Sequence, residues 1–112
     1  DPPISDSSEL NVVLEDEAEG PNLVPCYRQE EPARQLANLV DIPVLFINGD
    51  GGYHRIVDHC LANWLNQAGV ETEYVRLEEV GFSGNGHMMM LEQNSDEIAD
   101  LIADWIDSTI TN

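Results

Sequence analysis

Lysine is absent from this 112-residue chain, and its only arginines are Arg28, Arg34, Arg55 and Arg76. Set against 22 acidic residues, they leave a formal charge of −18. That balance excludes DNA and RNA as main partners, because nucleic-acid binding draws its affinity mainly from Lys and Arg neutralising phosphates. Long apolar runs are missing too: nothing approaches the ~20 residues needed to cross a bilayer, which excludes a spanning helix. The start, DPPISDSSEL, has no charged leader followed by an apolar stretch. The expectation is therefore a soluble, cytoplasmic chain without a membrane partner. Cysteine is scarce, and Cys26 and Cys60 lack the CxxC spacing of a zinc or redox site. Two lone thiols read as buried small hydrophobes, with a disulfide between them as the alternative.

What is present begins with acid. Abundant Asp and Glu without Lys resembles the composition of proteins from salt-loving archaea, and implies a fold whose self-repulsion needs concentrated salt to screen it. Hydrophobic residues make up 42% of the chain, a globular proportion. The length allows one small domain, or a piece of a larger one, and not two complete cores.

Residues 1–35 hold five of the six prolines and little periodicity. They read as a mostly irregular leader or cap remnant, with LNVVL (Leu10 to Leu14) as a short strand or half a helical turn. Arg34 to Leu39 suggests a short helix. From there to residue 112 the pattern sharpens into a βαβα unit. IPVLFIN, Ile42 to Asn48, is an unbroken β-rich run closed by Gly49, as expected of a parallel strand buried on both faces, with Pro43 tolerated only near its start. From Tyr53 to Ala68, Ile56, Val57, Cys60, Leu61, Trp64, Leu65 and Ala68 recur at helical spacing, and Gly69 supplies a stop. Val70 to Leu77 reads as a second strand. Asn94 with Glu97 looks like a capping box opening a final helix, with Ile98, Leu101, Ile102, Trp105 and Ile106 on one face and Asp96, Asp100, Asp104 and Asp107 on the wet one. The fold class is α/β, with two parallel strands and two flanking helices. Two strands and two helices cannot hide both faces of so apolar a strand, so further strands are expected beside it, from upstream sequence or a second copy.

Chemistry should gather on the loops that follow the strands. GDGG, Gly49 to Gly52, is similar to a dinucleotide fingerprint, but His54 stands where the last glycine of GxGxxG belongs and the surroundings are acidic. A tight turn is the plainer reading. Asp50, His54, Asp58, His59 and Cys60 are chemically suited to a metal. However, His54 and His59 are five apart on a helix and point in different directions, and a His54 and Asp58 pair alone is too few ligands. The plainer reading is surface polar groups with Cys60 in the core, so neither metal nor cofactor is expected. His87, in GFSGNGHMMMLEQN, sits on a glycine-flanked loop after a strand end, where an imidazole can serve as general base if a hydroxyl and an orienting carboxylate are in reach. Asp50, just after the neighbouring strand, is the candidate carboxylate. The nucleophile is the difficulty. Ser83 in GFSGN departs from GxSxG at Asn85 and is followed by loop, not by the helix a nucleophile elbow requires. Ser5, Ser7, Ser8, Ser95 and Ser108 lie in the acidic leader or at helix ends.

From DPPISDSSEL, through PCYRQEEPARQLANLVDIPVLFINGDGGYHRIVDHCLANWLNQAGV, to GFSGNGHMMMLEQNSDEIADLIADWI, the chain resembles the C-terminal part of α/β-hydrolase-fold esterases of bacteria and fungi. The resemblance implies a partial α/β-hydrolase fold in one domain over residues 1–112, made of its last two strands and helices. It implies that His87 is the triad base and that the methionines pack beside the acyl site. For the triad acid it leaves two possibilities: Asp50, after the penultimate strand, or a glutamate after the strand before it, which this sequence does not contain. Serine and oxyanion loop would also come from earlier strands. The functional expectation is the C-terminal portion of a carboxylic-ester hydrolase, inactive alone and acting on a small ester only when completed. The alternative is a noncatalytic α/β module that binds or oligomerises through an exposed strand edge.

Overall fold

In the computed structural model, which describes residues 7–110, the parallel pair lies where the apolar runs place it. Strands β3 (Val44–Asn48) and β4 (Thr72–Arg76) run side by side, with Val44 opposite Thr72 and Asn48 opposite Arg76. Strand β3 starts two residues later than the apolar run. Pro43 has no N–H to give, and the Ile42 amide is taken by a turn to the Leu39 carbonyl at 3.0 Å. Two further strands, β1 (Val12–Leu14) and β2 (Tyr27–Gln29), form an antiparallel pair in the otherwise mostly irregular N-terminal segment. Within LNVVL, Val12–Leu14 is therefore strand and not helix. Ser5 lies outside the described residues.

Helix α1 (Asp58–Gln67) crosses from β3 to β4, and α2 (Ser95–Thr109) closes the described chain. The first turn expected of α1 is instead a separate 3-10 turn over Tyr53–Ile56, and the backbone breaks at Val57, with φ −130° and ψ −21°. Adjacent β-branched residues, Ile56 and Val57, are poor helix interior. The break changes which face is buried. His59 and Ala62 go inward, while Ile56, Val57 and Leu61 remain exposed. His59 is thus not the surface group that sequence spacing suggests. Gly69 does end the helix, at φ +86°.

Helix α2 follows its pattern more closely. Ile98 is buried, Leu101, Ile102 and Trp105 are half-buried, and Asp96, Asp100, Asp104 and Asp107 are exposed. Asn94 occupies the N-cap position, yet its side chain makes no cap hydrogen bond. It is used elsewhere.

The N-terminal segment is fastened to the βαβα unit by polar and covalent ties. The Gln29 amide donates to Gln67 Oε1 and the Gln67 side-chain amide returns to the Gln29 carbonyl, both at 2.8 Å. Cys26 and Cys60 form a disulfide across 34 residues, so the minority alternative for the two thiols is the one realised. Closing a loop of that size removes ~4 kcal/mol of unfolded-chain entropy in the loop-closure treatment. The whole measures 44 × 40 × 19 Å with a radius of gyration of 15.8 Å. A compact chain of this length would have a radius near ~13 Å. Flatness leaves both faces of the strand pair incompletely covered: Val44 to Ile47 are all only half-buried.

Candidate active site

The carboxyl ends of β3 and β4 each open into a loop, and the two loops bind each other. After β3, Asp50 Oδ1 accepts the Gly84 amide at 2.6 Å, and the Gly51 amide donates to the Asn85 carbonyl at 2.9 Å. After β4, buried Leu77 anchors a 3-10 turn over Leu77–Val80, and Gly81 turns the chain at φ +98°. The backbones meet so closely that a Cβ on Gly49 would stand 2.2 Å from the Asn85 carbonyl oxygen. Only glycine fits there. The GDGG stretch is therefore a backbone contact with the neighbouring loop.

The second loop is held from its far side as well. Asn85 is 3% exposed. Its Nδ2 donates to Glu92 Oε1 at 2.9 Å and to Asn94 Oδ1 at 2.7 Å, and Asn94 Nδ2 returns to Asn85 Oδ1 at 2.9 Å. The Gly86 amide donates to both Glu92 oxygens, at 3.1 and 3.2 Å. Buried polar groups satisfied in this way fix one geometry. That network is why Asn94 does not cap α2. Sequence reasoning about His87 missed it, although a glutamate and an asparagine directly after MMML were its visible signal.

His87 follows this clamp and is exposed. Its ring lies 5.2 Å from that of Tyr53 and 4.9 Å from that of His54, centroid to centroid. Among the described residues no hydrogen bond joins it to Asp50 or Ser83; Asp50 Oδ1 accepts the Gly84 amide instead. His54 Nδ1 is 3.3 Å from Asp58 Oδ1, and Asp58 Oδ2 accepts from Asn48 Nδ2 at 3.5 Å. Asn48 Nδ2 also donates to the Tyr74 hydroxyl at 2.5 Å. Burial pushes the Tyr74 phenol up from its ordinary value, partly opposed by that hydrogen bond and by the Arg76 guanidinium, which lies 4.9 Å over the ring.

Both arginines at this end of the sheet face carboxylates: Arg55 Nε is 2.9 Å from Glu78, and Arg76 stands 4.0 Å from Glu19 and 3.9 Å from Glu79. Arg55 is closely paired, whereas Arg76 Nε and Nη2 are buried without a hydrogen-bond partner. Of the five residues considered for a metal, His54 pairs with Asp58 and Asp50 crosses to the other loop, so these three do not gather with His59, which points into the core, and Cys60, which is in the disulfide beside it.

Two loops thus meet at the carboxyl edge of the parallel strand pair, one presenting an exposed histidine and the other a carboxylate. Comparison with known proteins suggests a lipase/esterase-type hydrolase. Over 81 residues, 72% of this chain, the sequence is 43% identical to a protein of Fungal sp. (strain ATCC 74256) described as "Probable secreted lipase phiG". The matched stretch spans only 22% of that relative's length. No family model and no solved structure matches the chain. The relative is described as secreted, which overturns the expectation of a cytoplasmic location; the Cys26–Cys60 disulfide agrees, since disulfides persist in oxidising compartments.

Proposed function

We propose that the chain is the carboxyl-terminal part of a carboxylic-ester hydrolase working in an oxidising setting outside the cytoplasm, with His87 as general base and acid. In this reading a serine and oxyanion donors from sequence beyond these 112 residues complete the site. His87 takes the serine hydroxyl proton as Oγ attacks the ester carbonyl, then passes it to the departing alcohol; water repeats the cycle on the acyl-enzyme. Asp50 fixes the loop and is the carboxylate for the imidazole once its grip on Gly84 is shared or exchanged. The observation that carries the proposal is an exposed imidazole, free of hydrogen bonds to the described residues, on a loop clamped from both sides.

Hydrolysis of a p-nitrophenyl ester tests it, measured for the 112-residue chain and for a chimera in which the chain replaces the matching segment of the fungal relative. The expected result is no turnover by the chain alone, and turnover by the chimera that His87→Ala lowers by about 10³-fold or more. A folded chimera whose activity survives His87→Ala would refute the role of His87. Turnover by the chain alone, abolished by His87→Ala, would refute the external serine.

A further inference from the structure

Beside the disulfide lies a third ligand-type side chain that the ester-hydrolase reading does not use. His59 is 1% exposed, its Nε2 stands 3.6 Å from Cys60 Sγ, and its Nδ1 is buried without a partner. Ligand atoms of Cys26, His59 and Cys60 all lie within 4.8 Å of one another. A fourth group is near, outside that cluster: Glu19 Oε2 is 3.9 Å from His59 Nε2 and 4.0 Å from Arg76 Nη2, which would release it to the metal. Zinc takes thiolate at ~2.3 Å and imidazole at ~2.0 Å in a tetrahedron, which sets sulfur and nitrogen about 3.5 Å apart. The Cys60 and His59 pair already has that separation. Cys26 Sγ needs only to swing away from Cys60 Sγ once their bond is broken.

We infer that the reduced chain holds one zinc ion through Cys26, Cys60 and His59, with Glu19 as the fourth ligand. Disulfide and metal are then alternative uses of the same two sulfurs. Reduction is a two-electron step: an external dithiol is oxidised to its cyclic disulfide, and the Cys26–Cys60 bond becomes two thiols. Zinc displaces the two thiol protons to solvent, and His59 binds through Nε2 as neutral imidazole with its proton on Nδ1. The hydrogen bond between His59 Nε2 and the Val24 carbonyl, now 3.2 Å, is exchanged for the metal bond. An open groove of about 360 Å³ reaches both cysteines between Val24, Val57, Leu61 and Trp64, with His59 and Glu19 outside its lining. Its apolar walls strengthen attraction between a cation and thiolates.

This inference is independent of ester hydrolysis and is tested without it. Zinc is titrated into the chain, reduced with a phosphine or left oxidised, in competition with a chromophoric chelator, and cobalt is substituted to count thiolate ligands by absorption. The reduced chain should bind one zinc, with the oxidised chain, Cys26→Ser and Cys60→Ser each weaker by about 100-fold, and Glu19→Gln weaker by about tenfold. His54→Ala and His87→Ala should leave the affinity unchanged. Cobalt bound to the reduced chain should show two thiolates, and His59→Asn should alter its spectrum. Should His59→Asn fail to fold, the cysteine and Glu19 variants decide. No zinc on the reduced chain, equal affinity when oxidised, or affinity indifferent to either cysteine would overturn the inference.

Discussion

The carboxylate of Asp50 accepts the Gly84 amide at 2.6 Å across 34 residues of sequence, so the loops after β3 and β4 behave as one unit. A charged acceptor makes such a bond stronger than a neutral one, although exposure of Asp50 keeps it at the lower end. Asp50→Asn should therefore cost ~1 kcal/mol in urea unfolding and shift the NMR resonances of His87. If the His87 ring signals were unmoved, Asp50 would have no hold on that loop.

Glu92 should matter more than Asp50. Glu92→Ala leaves the buried Asn85 amide one acceptor short and frees the Gly86 N–H. A buried donor left unsatisfied costs ~1–3 kcal/mol. Amide hydrogen exchange at Gly86 should accelerate in step with that loss. Unchanged protection there would show that the loop is held by something else.

Glycines 49 and 86 should respond very unequally to alanine. At Gly49 the added Cβ meets backbone at 2.2 Å, whereas at Gly86 the nearest contact is a Glu92 oxygen at 3.8 Å. Gly49→Ala should cost more than ~3 kcal/mol, in the range of severe backbone clashes, and Gly86→Ala less than ~1 kcal/mol. Thermal unfolding of the two variants measures the contrast, and similar melting temperatures would contradict it.

Acid should weaken the attachment of the N-terminal segment through one carboxyl. The Gln67 side-chain amide and then the Ala33 backbone amide hold Glu31 below its ordinary 4.5. A carboxyl depressed on folding contributes stability that is fully present above its unfolded value and is lost as pH falls through the folded one. Melting temperatures of wild type and Glu31→Gln should therefore differ by a constant amount above about pH 5 and converge on further acidification. A gap that widened in acid would have the wrong sign.

Salt should stabilise the chain. With a charge of −18, repulsion is long-ranged in dilute buffer and confined to ~3 Å at 1 M salt. The unfolding midpoint should rise between dilute buffer and molar KCl; a fall would contradict the reading of the composition.

How legible was this in the sequence? Strand β3, strand β4 and α2 could be read because their apolar periodicity is local. The bend at Val57 could not, because Ile56 and Val57 fit a helical stripe while resisting a helical backbone. His59 shows the same limit: its burial depends on a partner, the Val24 carbonyl, that lies 35 residues away. His87 and Asp50 were visible as candidates from their positions after strand ends. The Asn85, Glu92 and Asn94 network was hidden because Asn94 and Glu97 satisfied a capping pattern, and tertiary hydrogen bonds outcompeted it.

A body only 19 Å thick has almost no place that is far from water. What stiffens the His87 loop is accordingly short polar bonds and one glycine contact, each confined to two neighbouring loops. Such a clamp travels with its own sequence: wherever these two strands are set side by side in register, the loop that carries His87 keeps its shape.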